Sequence, residues 1–182
     1  MAIGEFHSSG AELANAIDDG SFEQRGAQAG QAQDGEELAE AHELLQGVSF
    51  WKSAGTDAHA ALTNADAHTG EWSFTMTDTK RAGVSDSISV GSGELLSMSL
   101  WVKHNGIEDA NYHVDVIPRG DAMLSRTSVP VPDEPGVWHK VELAFVTPPE
   151  TKTVGLYLFV EGQRPGQQVF VDDFFIGRYA GE

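Results

Sequence analysis

The sequence predicts an all-β fold: a two-sheet antiparallel jelly-roll β-sandwich with an N-terminal arm and one short helical insertion. Three observations lead there. From residue 48 onward apolar and polar residues alternate through a series of short segments, the period of strands with one face buried. Clusters of Gly, Asp, Asn and Pro separate those segments at regular intervals, as the turns of a sandwich require. Helical periodicity falls in one stretch near the N-terminus.

Residues 1–14 are small, polar and Gly/Ser-containing with no period of their own, and read as an arm. Residues 15–182 form the sandwich, interrupted by an insertion over 24–47. Within it, 26–35 is low in complexity. Asp34 with Glu37 then makes a capping box, Leu38, Ala41, His42 and Leu45 share a face, and Gly47 ends a helix of about three turns. Strands are expected over 48–52, 71–77, 84–90, 95–104, 110–118, 138–146, 153–161 and 168–177. In three of them alternation names the buried face: Leu96, Met98, Leu100 and Val102; Tyr112, Val114 and Val116; Val154, Leu156, Leu158 and Val160.

A chain of 182 residues is one such domain and buries a substantial core. No run is long and apolar enough for membrane insertion, and the N-terminus lacks the basic and apolar stretches of a signal peptide. With no cysteine, disulfides and thiolate metal sites are excluded. A net charge of −17, from 28 acidic and 11 basic residues, excludes nucleic acid as a partner, since phosphates are repelled and no basic stripe releases counterions. The same balance suits a protein of a halophilic source, where the Debye length falls to about 3 Å in molar salt. An ordinary acidic secreted protein is the alternative.

Two patterns carry chemistry. The outward residues Trp101 and Lys103, His113 and Asp115, and Tyr157, Phe159 and Glu161 make an aromatic and polar floor if their strands are neighbours. Pyranose rings pack C–H faces on aromatic rings and present hydroxyls to polar groups, so this composition suits a carbohydrate. Cover by the insertion or by another subunit is the alternative for Tyr157 and Phe159. Trp51 and Trp72 have no assigned face. The second pattern is Asp172-Asp173 inside the apolar run Val169 to Ile176. Buried carboxylates need pairing, hydrogen bonds or a metal such as calcium. Neighbours on a strand point to opposite faces, so these two cannot flank one glycosidic bond. No zinc spacing, nucleophile elbow or phosphate loop occurs, and no enzymatic activity is expected.

Read together, Ile17-Asp18-Asp19-Gly20-Ser21-Phe22-Glu23, Gly136-Val137-Trp138-His139-Lys140-Val141, strand 152–161 and the terminal acidic strand resemble the calcium-containing carbohydrate-binding modules of families four, nine and twenty-two. Asp19 replaces the Asn, and Ser21 the Asp, of the usual opening turn. The resemblance implies a galactose-binding-like jelly roll, a glycan cleft on the concave face where the seven outward residues would lie, and a structural Ca2+. For that ion it implies Glu23 and Asp172, with Asp173 as the alternative to Asp172, and a middle-loop ligand for which Asp66 is taken and Glu71 also stands available. The function expected is that of a non-catalytic structural or glycan-binding protein on a virion surface: a capsid decoration, turret or tail/receptor-binding part from a halophilic host. It would bind a glycan or cell-surface polysaccharide and form a homo-oligomer or join other virion proteins. The alternative is an extracellular module of a secreted polysaccharide-degrading enzyme.

Overall fold

The computed structural model describes residues 13–24, 49–52 and 59–179. Among them ten strands form: β1 (Ser49–Lys52), β2 (His59–Thr63), β3 (Ser73–Thr77), β4 (Arg81–Ser89), β5 (Leu95–His104), β6 (Asn111–Arg119), β7 (Thr127–Pro130), β8 (His139–Val146), β9 (Thr153–Glu161) and β10 (Gln168–Arg178). They make two antiparallel sheets, sheet one in the order β2-β3-β10-β5-β8 and sheet two in the order β1-β4-β9-β6-β7. The β-sandwich is therefore as expected. The insertion helix and residues 1–12 of the arm lie outside the described residues.

The inward residues named from alternation are all buried. Leu96, Met98, Leu100 and Val102 of sheet one pack with Tyr112, Val114, Val116, Val154, Leu156, Leu158 and Val160 of sheet two in one core cluster. Two strands were not expected. β2 is His-Ala-Ala-Leu-Thr, whose small alanines lack a strand's usual β-branched signal. β7 has four residues, mostly exposed, and contains Pro130, which fits its place on a sheet edge.

Strict alternation fails at the acidic doublet. The register of β10 against β5 shifts between Asp172 and Phe175, and Asp173 takes a φ of 49°: a β-bulge that inserts one residue. Without it Asp173 and Phe175 would face the core. With it Phe174 and Ile176 do, at 1% and 0% exposure. The opposite-faces expectation for the two carboxylates is thus corrected: both reach the same loop, described below.

The N-terminal segment is sewn to this bulged strand. Asn15 Nδ2 donates to Phe174 O at 2.8 Å, Asn15 Oδ1 accepts from Ile176 N at 3.0 Å, and Phe174 N donates to Gly20 O at 2.9 Å. Phe22, fully buried, packs on Phe74 and edge-on to Phe174. A Cβ at Gly20 would lie 2.1 Å from Phe174 O, a backbone atom that cannot rotate away. Gly20→Ala is expected to destabilise the fold by about 1–3 kcal/mol, read as an earlier urea midpoint with an unchanged m-value.

Candidate functional site

The outer face of sheet two carries a row of rings. On β9, Tyr157 and Phe159 are two positions apart and point the same way, their rings 5.6 Å apart and 12° from parallel. Phe159 pairs in register with His113 of β6, whose ring lies 5.4 Å away at 19°. Tyr157 lies back over Gly155, where a Cβ would meet its ring at 2.4 Å. Opposite Tyr157 stands Asp115, on the outer face yet with no exposure. Such a carboxylate needs compensation, and its partners come from the edge: Ser128 Oγ donates to Oδ1 at 2.5 Å, and Arg126 Nη2 lies 2.6 Å from Oδ2. The second contact is an ion pair without hydrogen-bond alignment. The Arg126 guanidinium lies over Phe159 at 4.9 Å, a cation–π arrangement. Glu161 ends the row and pairs with Arg81 of β4 at 2.9 Å.

Five of the seven expected floor residues therefore meet on one face: Tyr157, Phe159, Glu161, His113 and Asp115. Trp101 and Lys103 do not. They belong to β5, whose neighbours are β10 and β8 in sheet one. Alternation assigns a side chain to a face of its strand and is silent on which sheet holds the strand; here most connections cross from sheet to sheet. Trp101 faces outward, but His68 of the β2–β3 loop stacks on it at 3.7 Å, and Trp138 meets His68 edge-on. Lys103 Nζ pairs with Asp66 Oδ2 at 2.7 Å. Trp72 is half-buried against the core. Arg126 and Ser128 carry no signal in the sequence, because no alternating pattern marks β7.

The acidic doublet holds that same loop against sheet one. Asp172 Oδ2 accepts from His68 N at 2.8 Å and Thr69 N at 3.2 Å, and its Oδ1 accepts from Asp173 N at 2.8 Å. Asp173 binds His68 Nδ1 and Thr69 Oγ1, both at 2.6 Å. Glu23 Oε1 accepts from Glu71 N and Trp72 N, each at 2.9 Å. Burial, and then the neighbouring Asp173, push the Asp172 carboxyl up to about 7, while the backbone donors pull it down. Calcium needs converging oxygens. Here N–H groups converge on Glu23 and Asp172, Lys103 neutralises Asp66, and among the described residues no three His, Asp or Glu side chains gather as a cation site. As placed, Glu23, Asp66 and Asp172 are each held by other partners, two by backbone N–H groups and one by the Lys103 ammonium.

Two antiparallel sheets with an N-terminal segment bound to a bulged terminal strand make a β-sandwich whose fold is similar to that of solved carbohydrate-binding modules. No family model and no curated protein matches the sequence. Among solved structures the fold is similar to that of TmCBM61, solved in complex with β-1,4-galactotriose, at 17% identity over 91% of this chain and 99% of that one, with a TM-score of 0.58. It is also similar to the CBM22-1 xylan-binding domain of Paenibacillus barcinonensis Xyn10C, at 19% identity over 76% of this chain and 89% of that one, with a TM-score of 0.54. The enzymatically active domain of tailspike protein 4 of bacteriophage CBA120 gives a TM-score of 0.61 at 11% identity over 91% of this chain, which spans 21% of that structure.

Proposed function

We propose that the chain is a non-catalytic glycan-binding β-sandwich and that the outer face of sheet two is its binding surface. The observation that carries this is the row Tyr157, Phe159 and His113, three near-parallel rings flanked by charged groups. An apolar strip with polar margins suits sugar rings, whose C–H faces and hydroxyls alternate. Structural likeness to modules solved with a galactotriose and named as xylan-binding supports the class of ligand. A glycan array and affinity electrophoresis on soluble polysaccharides test it. Retention of at least one β-linked glycan is expected, and an array blank in both low and molar salt would end the proposal.

A surface role on a virion, as a capsid decoration, turret or tail part, is the finer reading. Likeness to a phage tailspike domain and a net charge of −17, suited to a halophilic host, support it. It would place the protein on a virion surface, as a homo-oligomer or with other virion proteins. The rival, a module of a secreted polysaccharide-degrading enzyme, draws support from the likeness to a CBM22-1-GH10 xylanase structure, of which this chain spans 26%. Stable oligomers in molar salt favour the first, and a glycan-binding monomer the second.

For the loop junction, we infer that amide donors on Glu23 and Asp172 do what the resemblance assigned to a structural calcium. Adding Ca2+ or a chelator then leaves the melting temperature unchanged. A binding-linked rise, about 2.7 kcal/mol at a hundredfold excess over Kd, would reinstate the ion.

A further inference from the structure

One buried carboxylate on sheet two faces two groups able to carry positive charge. Asp115 Oδ2 is 2.6 Å from Arg126 Nη2 and 3.6 Å from His113 Nε2. The same Arg126 Nη2 lies 2.5 Å from His113 Nε2. A guanidinium can only donate, so Nε2 is the bare nitrogen and the ring hydrogen sits on Nδ1, which is buried with no partner among the described residues. The structure is thus that of the neutral imidazole. In this state the guanidinium lies over Phe159, the middle ring of the row.

We propose that Arg126 gates the aromatic row: it covers Phe159 while His113 is neutral, and leaves when His113 takes up a proton and replaces it as the cation of Asp115. Carbohydrate binding then strengthens in acid. That consequence rests on the glycan-binding reading above; the movement does not.

The charge balance gives the direction. Neutral His113 with Arg126 and Asp115 sums to zero, whereas protonated His113 leaves one surplus positive charge in a poorly solvated site. The more exposed cation is the one that leaves: the Arg126 side chain is 41% exposed and that of His113 12%. Around the imidazole stand Asp115 on its own strand, Arg126 before β7 and Glu161 on β9, with Arg81 of β4 bound to Glu161. Burial holds the His113 pKa below its ordinary 6.5, Asp115 opposes this, Arg126 adds to the lowering and Glu161 resists it. A lowered pKa means that the fold favours the neutral form. The closed arrangement is complete above 6.5 and is lost as the pH falls through the lowered value.

The test measures affinity for xylohexaose and for β-1,4-galactotriose by calorimetry at about pH 8 and about pH 5, the range in which histidine switches. Wild type should bind roughly two- to fivefold tighter in acid, the equivalent of one exposed cation–π contact released. Arg126→Ala should bind at the acid level throughout, and His113→Gln, which cannot take the proton, should lack the pH response. Weaker binding by Arg126→Ala, or a wild-type pH response in His113→Gln, overturns the gate. If neither saccharide binds any variant, the glycan reading loses these two ligands and NMR decides the gate alone. Phe159 ring and Arg126 side-chain resonances should titrate together with His113 in wild type and stay still in His113→Gln; resonances that ignore His113 protonation refute it.

Discussion

Replacing Asp172 with Ala lowers the stability of the fold by about 3 kcal/mol, equivalent to a fall of roughly 6–12 °C in Tm for a domain of this size. The side chain has no exposure and accepts three backbone N–H groups, from His68, Thr69 and Asp173. Alanine leaves those donors beneath the loop with no acceptor, and the cost of an unsatisfied buried donor exceeds the net gain of an ordinary hydrogen bond. The loss extends beyond the three bonds. His68 stacks on Trp101 and binds Asp173, so releasing the loop uncovers an aromatic surface on sheet one. Thermal denaturation followed by near-ultraviolet circular dichroism reads both the midpoint and the tryptophan environment. A drop of under about 0.5 kcal/mol, the size typical of a surface substitution, would show that the loop is held by something else.

Replacing Phe159 with Ala weakens glycan binding by about 2 kcal/mol, roughly 30-fold, the size of a binding hot spot. Phe159 is the shared neighbour in the row, stacked with Tyr157 on its own strand and with His113 across the β6–β9 pairing. Its removal splits the row into two isolated rings. The substitution sits on the outer face, away from the inward stripe Val154, Leu156, Leu158 and Val160, so folding should persist and the loss should appear in Kd with an unchanged thermal midpoint. Trp101→Ala supplies the contrast: on sheet one beneath His68, it should cost stability and leave Kd alone. The reverse outcome would move the site to sheet one.

The limits of the sequence have identifiable physical causes. Alternation made the buried face of β5, β6 and β9 legible, because one misplaced residue would turn a whole apolar stripe to solvent. It carries no information on strand neighbours, which is why alternation alone groups Trp101 and Lys103 with Tyr157 and Phe159. The bulge at Asp173 was legible in principle. Val169 and Val171 keep one phase, Phe174 and Ile176 the other, and the doublet is where the phase slips. Treating the run as one unbroken strand hid this and set the two carboxylates on opposite faces. Arg126 was invisible for a different reason: its role depends on the β6–β7 pairing, and a four-residue edge strand with a proline has too short a pattern to announce itself.

The site itself is tested most directly by titrating isotope-labelled protein with xylohexaose and β-1,4-galactotriose and mapping the amide shifts onto the two sheets. Shifts gathered on Tyr157, Phe159, His113 and the Arg126 to Ser128 segment are the predicted result. Shifts gathered on Trp101 and Trp138, with sheet two unchanged, would contradict it.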